Sequence, residues 1–594
     1  MTNSRIAELS GYDTYAADPR LQLLLGPGGP FELEDIELEG IPLKSFVRAP
    51  RSIVDAFQAA QAHAALDHIV FEDERLTFAD VRRQSLAVAR RLKEDFGVGV
   101  GDRVAIAMRN FPEFVTGFWS AAVLGAIVVP LNAWWTGQEL QYALDDSAAK
   151  VVFADVERVE RLQAVGSTTP IISVRGAAES PAIAAFDELA DGPLLDEAEF
   201  ATLGPDDPVT ILYTSGTTGH PKGALGTNRG AIANIMNMGF GAAREIMISG
   251  RDPGPARQAA SIGSGPMFHI GGIASIIGGA MGGSKVVLMR KRSTVEMLDL
   301  AVRENVTSLG GVPAVAQEIL DFPGVETMDL RPKSFPLGGA PVPPRLARRV
   351  QEVFGDAVQM FNGYGGTETT SAVVTNVGIE YATRPESVGR PNLTAQVRVV
   401  APDGTPVGIG EVGELSFRSP QVVKGYWNNP TATKESFVDG WFHTGDLGYL
   451  DADGYLYVVD RLKDVVIRGG ENVYCAEVEA VLAEHPGVED VAVIGLEDET
   501  LGERVCAVVV ARPGSDVRLA ELREFTAAKL AAFKRPEALW LTDELPRTAT
   551  EKVSKQELRA RVPGPEARLE RVYGPGGTRR DDRSRPAGET TSAS

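Results

Sequence analysis

The stretch YTSGTTGHPKG, Tyr213 to Gly223, places three glycines, four serine and threonine hydroxyls and one lysine in eleven residues. The apolar run Val209 to Leu212 before it reads as a buried strand. Asn228 onward reads as a helix. A glycine-rich loop in that setting lets backbone N–H groups converge on one point. The hydroxyls add donors, and Lys222 adds a mobile positive charge. Such a concavity suits a polyphosphate. It is not a Walker A loop, which needs G-x-x-x-x-G-K-[ST]: Lys222 lies three residues after Gly219 and is followed by glycine.

Composition narrows the function classes. At 594 residues the chain exceeds one core and predicts several packing units. With 44% hydrophobic and 23% charged residues it reads as a soluble globular protein. A formal net charge of −21 argues against nucleic acid as a partner, so a polyphosphate must be met by local basic groups such as Lys222. Two cysteines, Cys475 and Cys506, imply no disulfide framework and fit a reducing cytoplasm. They and the six scattered histidines offer no zinc-like spacing. The N-terminus lacks the apolar core of a signal peptide. The longest apolar run, Phe118 to Leu131, is broken by Gly125 and Pro130 and is too short to span a bilayer.

Along the chain, residues 1–45 carry a Gly-Pro cluster and an acidic run, and read as an irregular extension draped on the surface. From Ser52, strands alternate with helices: helices at 53–65, 78–95, 113–124 and 137–144, strands at 103–108, 126–131 and 150–154. A second alternating set runs from Val209 to Met360, with strands at 285–289 and 306–309. This period predicts parallel α/β sheets. From Ser387 the helices thin out, and strands at 397–400, 413–418 and 455–459 between Asp-Gly turns read as an antiparallel unit. After Asp460 a compact α+β unit follows, with helices at 476–483 and 519–530 and strands at 488–495, 504–511 and 538–541. The expected organisation is α/β: an extension at 1–45, a large domain at 46–460, a small domain at 461–562, and a tail at 563–594 too poor in apolar residues to fold.

Further motifs follow the loop in order: YGGTE at Tyr364–Glu368, HTGD at His443–Asp446, DRLKD at Asp460–Asp464, RGGEN at Arg468–Asn472 and LPRTATEK at Leu545–Lys552. With the loop, this ordered set resembles the adenylate-forming superfamily of acyl-CoA synthetases, adenylation domains and luciferases, over about residues 50 to 560. The resemblance implies a large N-terminal adenylating domain, a mobile C-terminal domain, and ATP, Mg²⁺ and CoA as cofactors and co-substrates. It assigns the β- and γ-phosphates to Thr214, Ser215, Gly216, Thr217, Thr218, Gly219 and Lys222. Thr367 would donate to the α-phosphate, and Glu368, with Thr214, would hold Mg²⁺. Tyr364, with Gly365 beside it, would stack on adenine, and Gly338, Gly339 and Ala340 would let backbone approach its other face. Asp446 would accept both ribose hydroxyls, supported by Arg461.

The same resemblance makes Lys552 the catalytic lysine that bridges carboxylate, α-phosphate and ribose. Glu551 stands where the family usually has glycine, and Lys555 is an alternative anchor. Lys463 matches the pivot whose φ/ψ change re-orients the small domain, after which Gly469, Gly470, Glu471 and Asn472 would line the pantetheine tunnel of CoA. Cys475 reads as packing, since no histidine or base pattern accompanies it.

For the acid, the runs MFHIGGIASIIGGAMGG (Met267–Gly283) and SLGGV (Ser308–Val312) would line the acyl site, with His269 walling its carboxylate end. No acidic residue occurs between Gly263 and Gly283, which argues against an amino-acid substrate. Six glycines in the first run are expected to leave volume for a medium- to long-chain fatty acid, with an aryl or sterol-derived acid as the other reading. The expected enzyme is thus an AMP-forming fatty-acid–CoA ligase. A ligase loading a carrier protein and a non-enzymatic nucleotide-binding regulator are its rivals. A homodimer is allowed, and the sequence gives no oligomeric state.

Overall fold

The computed structural model describes residues 7–176, 183–214, 221–251, 257–263, 265–548, 552–562, 569–572 and 578–580. Two compact units emerge: one holds residues up to Glu411 with 415–444 and 450–457, the other holds 412–414, 445–449 and Val458 onward.

In the large unit a seven-stranded sheet runs Ile183–Ala185, Ile171–Val174, Val151–Asp155, Arg103–Ala107, Ile127–Pro130, Pro208–Thr214 and Lys222–Thr227. All neighbours are parallel except the last pair. The strands Arg103–Ala107, Ile127–Pro130 and Val151–Asp155 at its centre are almost wholly buried, as their unbroken apolar runs require, and the wholly buried helix Pro112–Val123 packs against the first two. Two four-stranded sheets follow: Ala260–Gly263, Lys285–Leu288, Asp67–Phe71, Glu74–Thr77; and Ser334–Gly338, Gln359–Gly366, Ser371–Val377, Arg390–Pro391. The segment 306–309, expected as a strand, is reduced to Ser308, which bridges Ser261 on one side and Ser334 on the other. Gly310 explains the shortness: a Cβ there would lie 2.3 Å from the Pro336 carbonyl oxygen, and its φ is +158°.

The N-terminal extension is not irregular. Glu8–Ser10 pairs antiparallel with Gln396–Val400, Gly11–Ala16 is a helix capped by Ser10, and Leu33–Leu38 forms a hairpin with Ile41–Phe46. Tyr15, Leu21, Leu24, Leu25 and Phe46 are buried against Phe240 of the helix Asn228–Ser249. Those apolar side chains, spread among acidic and glycine residues, give no local period, yet they cover one face of that helix.

The small unit is built on Val488–Asp498 paired with Gly502–Ala511, and both Val466–Arg468 and Ala538–Leu541 pair with the latter strand. Two segments of the tail expected to lack structure are strands: Leu569–Val572 pairs with Ala538–Leu541, and Thr578–Arg580 pairs with Leu569–Val572. The rest of that tail lies outside the described residues.

One buried group makes the large unit sensitive to acid. The His68 ring is 2% exposed and stacks on Phe78 at 3.9 Å. Its Nδ1 lies 3.3 Å from the Ser284 carbonyl oxygen, and its Nε2 has no hydrogen-bond partner among the described residues. Burial lowers its pKa to about 4 from the ordinary 6.5. Between these values the unfolded chain takes up a proton that the folded chain refuses. The stabilisation is therefore complete above pH 6.5 and is lost as pH falls toward 4, by about 3 kcal/mol. Urea titrations at pH 7 and pH 4 should show this loss, and His68→Gln should flatten it; an unchanged pH dependence in that variant would show that another group is responsible.

Candidate active site

The loop expected between a strand and a helix instead closes an antiparallel hairpin. Pro208–Thr214 pairs with Lys222–Thr227, with Thr214 opposite Lys222, and the helix begins only at Asn228. The second strand was hidden because KGALGT is built from small residues. Two of them are required by close approach: a Cβ on Gly223 would lie 2.6 Å from the Ile211 side chain, and one on Gly226 2.7 Å from Thr210 Oγ1. Ser215, Gly216, Thr217, Thr218 and Gly219 lie outside the described residues.

The hairpin's edge is covered by the segment Lys424–Trp427. Lys424 N–H donates to the Leu225 carbonyl at 3.0 Å, and Trp427 N–H to that of Gly223 at 2.7 Å. This lays the Tyr426 ring under the Lys222 ammonium, 5.2 Å from nitrogen to ring centroid. Asp146 secures both neighbours: its carboxylate accepts from the Tyr213 hydroxyl at 2.6 Å, and its carbonyl from the Trp427 indole at 3.0 Å. Burial, then the Asp146 carboxylate, pushes the Tyr213 phenol up, so it stays a donor.

A second set of residues comes from the neighbouring sheet. Ser334–Gly338 and Gln359–Gly366 run parallel with Gly338 beside Gly363, where a Cβ on Gly338 would meet the Gly363 oxygen at 3.0 Å. Gly338 and Gly339 have φ of +153° and +77°, so Ala340 follows a turn that side chains resist. Gln359–Gly366 carries Tyr364, whose ring lies 5.9 Å from that of Phe417. The chain then turns through Thr367–Thr369, and the left-handed Thr370 and Ser371 return it as the strand Ser371–Val377. Gly365 sits at this crossing, where a Cβ would be 2.1 Å from the Ser371 oxygen.

These two sets meet at Tyr426. Its hydroxyl donates to Glu368 Oε1 at 2.9 Å while its ring carries Lys222. Burial and the Glu368 charge push the Tyr426 phenol well up. Lys222, Thr214, Thr367 and Glu368 are thereby gathered in one place. Sequence reasoning missed Tyr426, and the available signal was an adjacent Tyr-Trp pair in an otherwise polar stretch. The donor set fits Mg²⁺ carried on phosphates: one half-buried carboxylate with threonine hydroxyls, and among the described residues no cluster of three or more acidic, histidine or cysteine groups.

His269 stands at the N-cap of the helix Ile270–Gly282, following a turn that Asn110 clamps through Gly265 and Met267, at 2.9 Å each. Ile270, Ile273, Ala274 and Ile277 of that helix share a narrow void with Thr370. The expectation that its glycines leave volume unfilled is corrected at four positions. A Cβ on Gly272 would lie 2.4 Å from Met267, on Gly278 3.3 Å from Ile235, on Gly279 3.4 Å from His68, and on Gly283 2.6 Å from His63. These glycines allow close packing, and Gly283 also ends the helix at φ +65°. Gly271 faces open space.

In the small unit, Arg461 Nε lies 3.3 Å from the Asp446 carboxylate. Lys463 sits in the short turn Leu462–Asp464, and burial with Arg461 beside it lowers its pKa. Both sides of this turn are anchored. Asp460 accepts from the N–H groups of Cys475 and Ala476, and Asp464 from Arg559 at 2.9 Å. Gly469 and Gly470, with φ of +60° and +87°, form a two-residue hairpin turn that ends at Glu471. Cys475 is buried, its thiol pushed up by burial and donating to the Asp464 carbonyl at 3.0 Å. That is a packing role. The turn carrying Lys552 is closed by Thr548 N–H to the Lys552 carbonyl at 2.8 Å and Lys552 N–H to Thr548 Oγ1 at 3.3 Å; Glu551 lies outside the described residues. Lys555 is engaged elsewhere: its ammonium is paired with Glu479 at 2.7 Å, with 15% of its side chain exposed.

Comparison with known proteins places these features in a family. Residues 56–427 match the AMP-binding enzyme family and residues 477–552 its C-terminal domain, so the last matched residue is Lys552. The chain is 36% identical over 488 residues to a feruloyl-CoA synthase of an Amycolatopsis species, covering 82% of this chain and 94% of that one. It is 35% identical over 500 residues to the long-chain-fatty-acid–CoA ligase FadD13 of Mycobacterium tuberculosis, covering 82% and 93%. The O-succinylbenzoate coenzyme A synthetase of Bacillus subtilis, solved in complex with ATP and magnesium ion, superposes with a TM-score of 0.72 at 30% identity, covering 87% and 100%.

Proposed function

Because the chain belongs to the AMP-binding enzyme family, we propose that it is an acid–CoA ligase that joins a carboxylic acid to AMP with release of pyrophosphate, then passes the acyl group to CoA. The gathering of Lys222, Thr214, Thr367 and Glu368 around Tyr426 carries this reading. In the first step two anions must meet, so oriented donors and positive charge decide the rate. Lys222 and the hydroxyls at the hairpin end take the outer phosphates, Thr367 donates to the α-phosphate, and Tyr364 with the Gly338–Ala340 turn holds adenine. Mg²⁺, held by Glu368 and Thr214, would neutralise charge on the phosphate oxygens. Asp446 and Arg461 take the ribose, and Lys552 brings the charge that lets carboxylate approach phosphorus. Lys463 is the pivot, and Gly469–Glu471 face the CoA arm. Two buried free cysteines support a cytoplasmic location, and no helix among the described residues is long and apolar enough to cross a membrane.

For the acid we propose a medium- to long-chain fatty acid, on the apolar helix Ile270–Gly282 beside the Thr370 corner. An aryl acid is the second reading, favoured by the close packing at several glycines of that helix, which does not leave the open volume a long chain needs there. An acid panel read by pyrophosphate release without CoA tests both. Along straight chains from two to about eight carbons, kcat/KM should rise about fourfold per methylene, equivalent to ~0.8 kcal/mol each. A preference for acetate would overturn the fatty-acid reading, and a maximum at an aryl acid would select the second. Absence of release with any acid would leave a nucleotide-binding regulator. Release without thioester on free CoA would leave a carrier-protein ligase.

A further inference from the structure

The strained corner behind Glu368 is held by buried side chains, among them Thr369, whose Oγ1 donates to the Ser371 carbonyl at 2.8 Å, and Gln421. Thr370 and Ser371 both lie in the left-handed region, at φ +47° and +81°, without being glycine. Such conformations persist only where the surroundings over-determine them. Gln421, fully buried, reaches into the corner from far along the chain. Its Nε2 donates to the Ala372 carbonyl at 3.1 Å and lies 3.4 Å from that of Thr369, while its backbone carbonyl accepts from Thr370 Oγ1 at 2.6 Å. Asn237, also buried, donates to Gln421 Oε1 at 2.7 Å and to Thr394 Oγ1 at 2.8 Å, which fixes the amide's orientation. Two residues beyond Gln421, Val423 N–H donates to the Glu368 carbonyl at 3.0 Å. The corner, and with it Thr367 and Glu368, is thus tied to the helix Asn228–Ser249 through two amide side chains.

We propose that Gln421, oriented by Asn237, is a positioning residue that holds the Thr370–Ser371 corner and so aims Glu368 at magnesium-bound ATP. This rests on the reading of Glu368 as the Mg²⁺-holding carboxylate. The test is calorimetric binding of ATP with and without Mg²⁺, on protein whose folding is checked by thermal melting. Gln421→Met keeps the volume and removes the side-chain hydrogen bonds, leaving the one from Thr370 to the backbone. It should weaken Mg·ATP binding by ~10–100-fold, as loss of an outer partner of a metal-holding group does, and leave Mg²⁺-free ATP binding near that of the parent. In a Glu368→Gln background the same change should add less than about twofold, because both act through one group.

Equal loss of Mg²⁺-free and Mg²⁺-bound ATP, or a full further loss in the Glu368→Gln background, would show a general structural role and overturn the proposal. Unchanged Mg·ATP binding in Glu368→Gln alone would overturn the site reading itself, and the proposal with it. Should Gln421→Met not fold, Asn237→Ala removes the orienting donor together with the bonds to Thr394, leaves the Gln421 side chain in place, and should show the same selective loss on a smaller scale. No selectivity for Mg·ATP there would count against the proposal equally.

Discussion

Lys552→Ala should lose ~10²–10³-fold in acid-dependent pyrophosphate release, equivalent to ~3–4 kcal/mol of transition-state stabilisation, while thioester formation from supplied acyl-AMP stays near that of the parent. The lysine's charge is needed when carboxylate meets phosphate and not once the adenylate exists. The substitution leaves its turn intact, because the bonds to Thr548 there use the Lys552 backbone. Lys555→Ala makes the contrast. It leaves the half-buried Glu479 without its ion-pair partner, with only the Val493 N–H still donating to it, and should lower stability and with it both half-reactions together. If Lys552→Ala also lowered both equally, its role would be structural and the assignment would fail.

Lys463→Pro should do the opposite: adenylate still forms, and transfer to CoA stops. Proline holds φ near −65°, and the proposed pivot must change its backbone angles between the two half-reactions. The flanking residues cannot absorb that change, since Asp460 is bonded to the start of the helix Cys475–Leu482 and Asp464 to Arg559. Burst release of one pyrophosphate per chain, without thioester, is the measurement. Normal overall turnover would sink the two-orientation reading.

Much of the fold was legible along the chain because its signals are local. The alternation of buried strands and helices from Ile53 to Val174 follows from apolar runs and caps that each segment carries in itself, such as the capping boxes at Ser52, Thr77 and Thr136. The ordered motifs that carry the family likeness are local in the same way. In YGGTE the residue types are demanded by the motif's own turn, as Gly365 shows: a Cβ there would lie 2.1 Å from the Ser371 oxygen.

What the chain alone determined is therefore a polyphosphate-binding, adenylate-forming α/β protein with a second small unit. Tertiary structure decided which residues meet. Tyr426 joins Glu368 58 residues away, and that contact depends on a segment pairing with the edge of Lys222–Thr227, a strand whose small residues hide it. Tyr15 and Phe46 are core side chains only because Phe240 lies opposite them. The glycines at 272, 278, 279 and 283 were ambiguous between space and packing until Met267, Ile235, His68 and His63 were seen against them. Lys552 and Lys555 are equivalent in a polar segment until Glu479 pairs with one of them. The physical reason is common to all four. Periodicity and turn chemistry are written into a few consecutive residues, whereas contact, burial and charge pairing depend on register between segments tens or hundreds of residues apart.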